Sequence, residues 1–143
     1  KENLVPLEKS GQLKFLDIKG HGDQLWDKGI LPFTEHISFR VVGGHTRGMM
    51  IPYIKAGDQT LVYIADLIPT TAHFPTPYIA SFDVFPLLAM EEKTAFLAEA
   101  IDNKYIIFFE HDAHTQCCTV KRNEKGRVIA DESFSLAEWT ADR

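Results

Sequence analysis

Three short stretches of this 143-residue chain place potential metal ligands directly after runs of β-forming residues. They are Val41-Val42-Gly43-Gly44-His45-Thr46-Arg47-Gly48, Ile64-Ala65-Asp66 and Phe109-Glu110-His111-Asp112. A ligand at the carboxyl end of a strand is held by a rigid element yet faces open space, which suits a catalytic site. A mixed His/Asp set suits a borderline cation, zinc first, with iron or manganese as alternatives. Three ligands divided between two cations would complete neither site.

The elements that must hold these ligands are legible from patterning. Glu35 to Val42 alternates, with Ile37, Phe39 and Val41 on one face and His36, Ser38 and Arg40 on the other, which predicts a half-buried strand. Met49–Lys55 and Thr60–Ala65 flank Ala56-Gly57-Asp58-Gln59, and Gly-Asp between two apolar runs is a hairpin signal. Pro69 to Asp83 holds three prolines and reads as a long loop, a length that is often functional. Pro86 to Asp102 reads as a helix with Pro86 in its first turn. Its expected apolar stripe is Leu87, Met90, Thr94, Leu97 and Ile101, with Glu91, Glu92 and Glu99 away from it. Tyr105 to Phe109 has the continuous apolar pattern of a strand covered on both faces.

Gln116–Lys121 and Arg127–Ala130 read as a second hairpin around Asn123-Glu124-Lys125-Gly126, and Ser135 with Glu138 as a capping box opening a short helix. Nearer the start, Lys1–Ser10 reads as a helix tail or connector interrupted by Pro6, and Leu13–Ile18 as a short strand. A turn-rich connection follows from Gly20 to Gly29, with Leu25-Trp26 expected to pack onto the core.

Bulk properties narrow the class. The length suits one domain, 1–143, with a core of its own, and 45% hydrophobic with 24% charged residues is ordinary for a soluble globular protein. A net charge of −5 with no basic tract argues against a nucleic-acid partner. No apolar run approaches the ~20 residues of a membrane span. Cys117 and Cys118 are adjacent and point to opposite faces of a strand, so they read as reduced thiols of a cytoplasmic protein, one buried and one partly exposed. Lys1 is not an initiator methionine and nothing before Leu13 resembles a signal peptide, so the chain reads as processed or as a piece of something longer.

Taken in order, Gly44-His45-Thr46, Ala65-Asp66-Leu67-Ile68-Pro69 and Phe108-Phe109-Glu110-His111-Asp112 resemble the later metal motifs of the metallo-β-lactamase-fold hydrolases. The likeness also takes in the Pro69-Thr70-Thr71-Ala72-His73 loop, Ser81-Phe82-Asp83 and the helix that follows, from about Ile30 to Asp112. The resemblance implies that His45 is the third histidine of a first metal site, Asp66 a carboxylate bridging two metals, and His111 a ligand of the second. A shared carboxylate lowers the repulsion between two nearby cations. His73 and Tyr78 become candidate substrate contacts in the loop beside the site. The family's HxHxDH motif is absent from the sequence, and Arg47 stands where many relatives carry proline.

The fold so implied is mixed α/β: half of a four-layer αββα sandwich, one sheet with helices on one face. The chain would be the carboxyl-terminal part of an enzyme that uses a metal-bound hydroxide on an ester, lactone or related bond. It would bind little or no metal and be inactive alone, and it would self-associate through the surface that its missing half covers. Ligands without cysteine are similar to the lactonase and general-hydrolase branches. The alternative is a non-catalytic α/β interaction or structural module, in which His45 is a polar loop residue, Asp66 a turn aspartate and His111 a hydrogen-bonded strand-end histidine.

Overall fold

The structure, a computed structural model, describes residues 2–15 and 29–141. Within them the elements are α1 (Val5–Lys9), β1 (Leu31–Pro32), β2 (Ile37–Val42), β3 (Met49–Ala56), β4 (Gln59–Tyr63), α2 (Pro86–Asp102), β5 (Ile106–Phe108), β6 (Cys117–Arg122), β7 (Val128–Phe134) and α3 (Leu136–Ala141). The seven strands form one sheet in sequence order, antiparallel except where β5 lies parallel to β4. That one parallel pair needs a crossover, and α2 supplies it.

Turn chemistry fixes the register. Ala56 pairs with Gln59, so β3 and β4 join through Gly57-Asp58, with Gly57 at the positive φ of 58° that such a tight turn demands. Val42 pairs with Met49, which closes the β2–β3 hairpin and throws residues 43–48 out beyond the strand ends. The β6–β7 hairpin closes on Asn123, whose carboxamide oxygen accepts from the N–H groups of Lys125 and Arg127. The capping box forms, with the Ser135 N–H on Glu138 Oε2 (2.7 Å) and the Glu138 N–H on Ser135 Oγ (3.1 Å).

The core lies on both faces of the sheet. On one, Val42, Ile51, Val62, Ile64, Ile107 and Cys118 pack against Phe96, Leu97 and Ala100 of α2. On the other, Leu61, Ile106 and Cys117 meet Phe134 with Leu136 and Trp139 of α3. The long helix thus takes one face, while the short terminal helix turns its apolar side chains to the opposite one, so the two do not share the single face expected from sequence. No helix among the described residues is long and apolar enough to cross a membrane.

Several sequence expectations need correction. The buried side of α2 is Ala89, Glu92, Lys93, Phe96, Leu97 and Ala100, and Leu87 is 73% exposed. The helix is rotated from its expected stripe because Glu92 and Lys93 are drawn inward by backbone groups of two loops. Strand β2 is not half-buried at its end, since Arg40, Val41 and Val42 are all buried. Arg40 is held there by an ion pair with Glu99 of α2 at 2.7 Å. Both cysteines are buried, on opposite faces as expected, and neither is partly exposed. Pro6 opens α1 and does not interrupt it. Residues 12–15 carry no strand; the rest of that expected strand and Leu25-Trp26 fall outside the described residues.

Candidate metal centre

The three stretches that carry His45, Asp66 and His111 leave the sheet at the same end and converge. Strands β4 and β5 run parallel, so Asp66 and His111 follow their carboxyl ends side by side. His45 reaches them from the β2–β3 hairpin. Asp66 Oδ1 lies 3.1 Å from His111 Nε2, and Asp66 Oδ2 lies 3.4 Å from His45 Nε2. One carboxylate therefore turns each of its oxygens to a different imidazole. Glu110 joins Asp66 and His111 with a ligand atom of each within 4.8 Å of the others.

Each group is held by further structure. His45 Nδ1 is 2.8 Å from Asp83 Oδ1, and that carboxylate is almost wholly buried, its side chain 4% exposed. The carboxylate at Nδ1 orients the ring so that Nε2 faces Asp66, the arrangement that metal-binding histidines use. Phe82 stands edge-on to the His45 ring at 5.6 Å. Gly44 sits where an added Cβ would lie 2.4 Å from the Ala89 backbone, so only glycine lets the hairpin lie directly on α2. Ala65, just before Asp66, is in the left-handed region at φ 48°, a local strain of about 1 kcal/mol. The chain leaves the extended conformation at Ile64 (φ −78°, ψ −13°), so the strand expected over Thr60–Ala65 ends at Tyr63 and Asp66 lies in the turn that follows.

On the far side, Asp112 ties the His111 turn to the 69–83 loop. Its Oδ2 accepts from the Thr71 N–H and hydroxyl at 2.9 Å, and its Oδ1 from the N–H groups of His114 and Thr115 at 3.0 Å. Burial raises this carboxyl, but those donors outweigh it and leave it at about 2. A hydrogen bond to Glu110 pushes the Tyr63 hydroxyl up to about 12. Four carboxylates, Asp66, Asp83, Glu110 and Asp112, thus surround or back two histidines, a charge balance that suits cations.

The site residues expected from sequence divide into two groups. His45, Asp66 and His111 come together. His73 and Tyr78 sit in the flanking loop, where the Thr70 hydroxyl meets His73 Nδ1 at 2.8 Å and Tyr78 is 61% exposed. Neither contacts the His45–Asp66–His111 group among the described interactions. Phe74, in the same loop, is buried in the core beside Phe109. Asp83, Glu92, Lys93 and Asp112 carry supporting bonds that sequence reading did not assign. The only sequence signal for Asp83 is its place in Ser81-Phe82-Asp83; Glu92 and Lys93 gave none, since charged residues on a helix read as its solvent side.

Searches against protein-family profiles and curated proteins found no match. Solved structures do match. The chain is similar to a probable metal-dependent hydrolase from Staphylococcus aureus (26% identity, TM-score 0.60, 73% of this chain and 39% of that one). It is also similar to AidC, a dizinc quorum-quenching lactonase solved in complex with a product (25% identity, TM-score 0.68, 93% of this chain and 43% of that one). Hydrolase AbOPH of the beta lactamase superfamily shares the fold, with a TM-score of 0.69 at 17% identity over 92% of this chain and 42% of that one. The chain has part of the metallo-β-lactamase fold found in metal-dependent hydrolases. It spans only 39%, 43% and 42% of those three chains.

Proposed function

We propose that this chain is the carboxyl-terminal part of a metal-dependent hydrolase acting on an ester, lactone or related bond. One observation carries the reading: the Asp66 carboxylate offers separate oxygens to His45 and His111, at 3.4 and 3.1 Å from their Nε2 atoms. That donor set fits two divalent cations sharing a carboxylate, with zinc first and iron or manganese as alternatives. Bound there, the cations would supply Lewis acidity and a water ionised near neutral pH. The chain's own residues have other tasks. Asp83 orients the His45 ring so that Nε2 faces the site, and Asp66 serves both positions. The remaining ligands belong to an HxHxDH segment, which this sequence lacks.

The incomplete ligand set makes the isolated chain a weak metal binder without activity. Self-association belongs to the same proposal, supported by exposed Phe33, Met50, Phe82, Val84, Phe85 and Leu87. A reducing, cytoplasmic setting is supported by the two free buried thiols.

The test is to express the parent reading frame, measure bound metal, and assay an ester, lactone and phosphoester panel. The product held by AidC puts a homoserine lactone on that panel. An HxHxDH segment upstream with chelator-sensitive hydrolysis supports the enzyme. A parent with neither supports the alternative of a non-catalytic module. Steady, chelator-sensitive hydrolysis by this chain alone would overturn its inactivity.

A further inference from the structure

Helix α2 turns two adjacent charged side chains inward, Glu92 and Lys93, each 1% exposed. All the hydrogen bonds described for them go to backbone. Glu92 Oε1 and Oε2 accept from the N–H groups of Gly43 (2.8 Å) and Gly44 (2.9 Å). The Lys93 ammonium donates to the carbonyls of His73 (3.0 Å), Pro75 (3.0 Å) and Tyr78 (2.6 Å). Successive residues on a helix are about 100° apart, so the two side chains diverge into the two loops that flank α2.

The charges match what each loop lacks. Gly43 and Gly44 lie past the end of β2, and two successive buried N–H groups call for an anion. The 69–83 loop holds Pro69, Pro75 and Pro77, which have no N–H, so its carbonyls exceed its own donors and call for a cation. The loops meet at His45: the Phe85 N–H bonds the Gly44 carbonyl (2.8 Å), the Val84 N–H bonds the His45 carbonyl (3.1 Å), and Asp83 holds the ring.

We propose that Glu92 and Lys93 are positioning residues that set the His45 hairpin and the 69–83 loop against each other, and so fix the His45 ring. This inference rests on the reading of His45 as a metal ligand for its functional meaning, though not for its geometry. A helix contact made through side chains alone would leave each loop free to slide. Gripping the backbone holds the main chain of both.

The experiment is NMR on the whole isotope-labelled chain, reading amide exchange at Gly43 and Gly44 and the number and width of the His45 ring signals. The unaltered protein is expected to show both glycine amides protected and one sharp set of His45 ring signals. In Glu92→Gln, exchange at one or both glycines should rise by about tenfold, the equivalent of one hydrogen bond, with core amides such as Val62 and Ile107 unchanged. Lys93→Met should leave the glycines protected but split or broaden the His45 ring signals as the ring samples more than one position. Unprotected Gly43 and Gly44 amides in the unaltered chain overturn the proposal even if the variants fail to fold. One sharp set of His45 ring signals in both folded variants also overturns it. Zinc titration of the parent protein separates the two readings: no zinc uptake alongside the expected NMR changes removes the metal function and leaves the positioning role standing.

Discussion

His45 is placed by neighbours that differ in kind. Asp83 bonds its Nδ1, Phe82 stands edge-on to its ring, and Gly44 lets its hairpin touch α2. Its place beside Asp66 and His111 was legible in the sequence, because each of the three residues follows directly on a run of β-formers. The supports were not legible. Asp83 comes within reach of His45 only after the chain crosses the long loop, and sequence spacing does not encode such a distance. The necessity of Gly44 is a matter of close approach and not of turn geometry, so it too is invisible before the helix is in place. Gly44→Ala should destabilise the chain by about 1–3 kcal/mol, because its Cβ meets backbone that cannot move aside. Urea denaturation checks this; an unchanged midpoint would show that hairpin and helix are not in contact.

Among elements, α2 shows where patterning succeeds and where it fails. Its span, Pro86–Asp102, was read correctly from Pro86 and the apolar spacing. Its buried side differs from the expected stripe, because periodicity counts Leu87 as core and Glu92 as surface, while two loops draw Glu92 and its neighbour Lys93 inward and Leu87 is exposed. Replacing Leu87 with Lys should therefore change stability by no more than about 0.5 kcal/mol, whereas Phe96→Ala should cost about 3–5 kcal/mol. Thermal or urea unfolding of the two variants decides between the observed helix orientation and the expected stripe; a costly Leu87→Lys would favour the stripe. The hairpins were legible because Gly57-Asp58 and Asn123 to Gly126 carry their turn chemistry locally. The break at Ala65 was not, since alanine carries no sign of a left-handed backbone.

For the whole molecule, the two cysteines make stability depend on pH. Burial pushes the Cys117 thiol up to about 11 and Cys118 to about 12, against about 8.5 for an unfolded cysteine. Above pH 8.5 the unfolded chain loses these protons while the folded chain keeps them. The stabilisation from the two groups is thus complete below about pH 8.5 and is lost as pH rises towards 11 and 12. Each thiol contributes a slope of up to about 1.4 kcal/mol per pH unit in that window. Lys93 opposes this, since burial lowers its ammonium to about 8, with Asp83 pulling the other way, so its own contribution grows as pH rises through 8. Two thiols outweigh one ammonium. The urea midpoint should fall between pH 8.5 and 10, and Cys117→Ala/Cys118→Ala should flatten or reverse that fall. A midpoint in the unaltered chain that does not move with pH would mean that the thiols are not buried as described.

The sheet order also bears on how the chain reaches this state. Among the described residues every strand lies beside its neighbour in sequence, so β1 to β4 and β5 to β7 can each assemble from near-neighbour contacts with little loop-closure entropy. Of these strand pairings only β4–β5 joins residues as far apart as Tyr63 and Phe108. Contacts of high sequence separation dominate the folding barrier. The expected slow event is then the docking of α2, which brings the two hairpin groups together. The same docking seats Glu92 and Lys93 against their loops, so His45, Asp66 and His111 are expected to come into register only when the two halves of the sheet close.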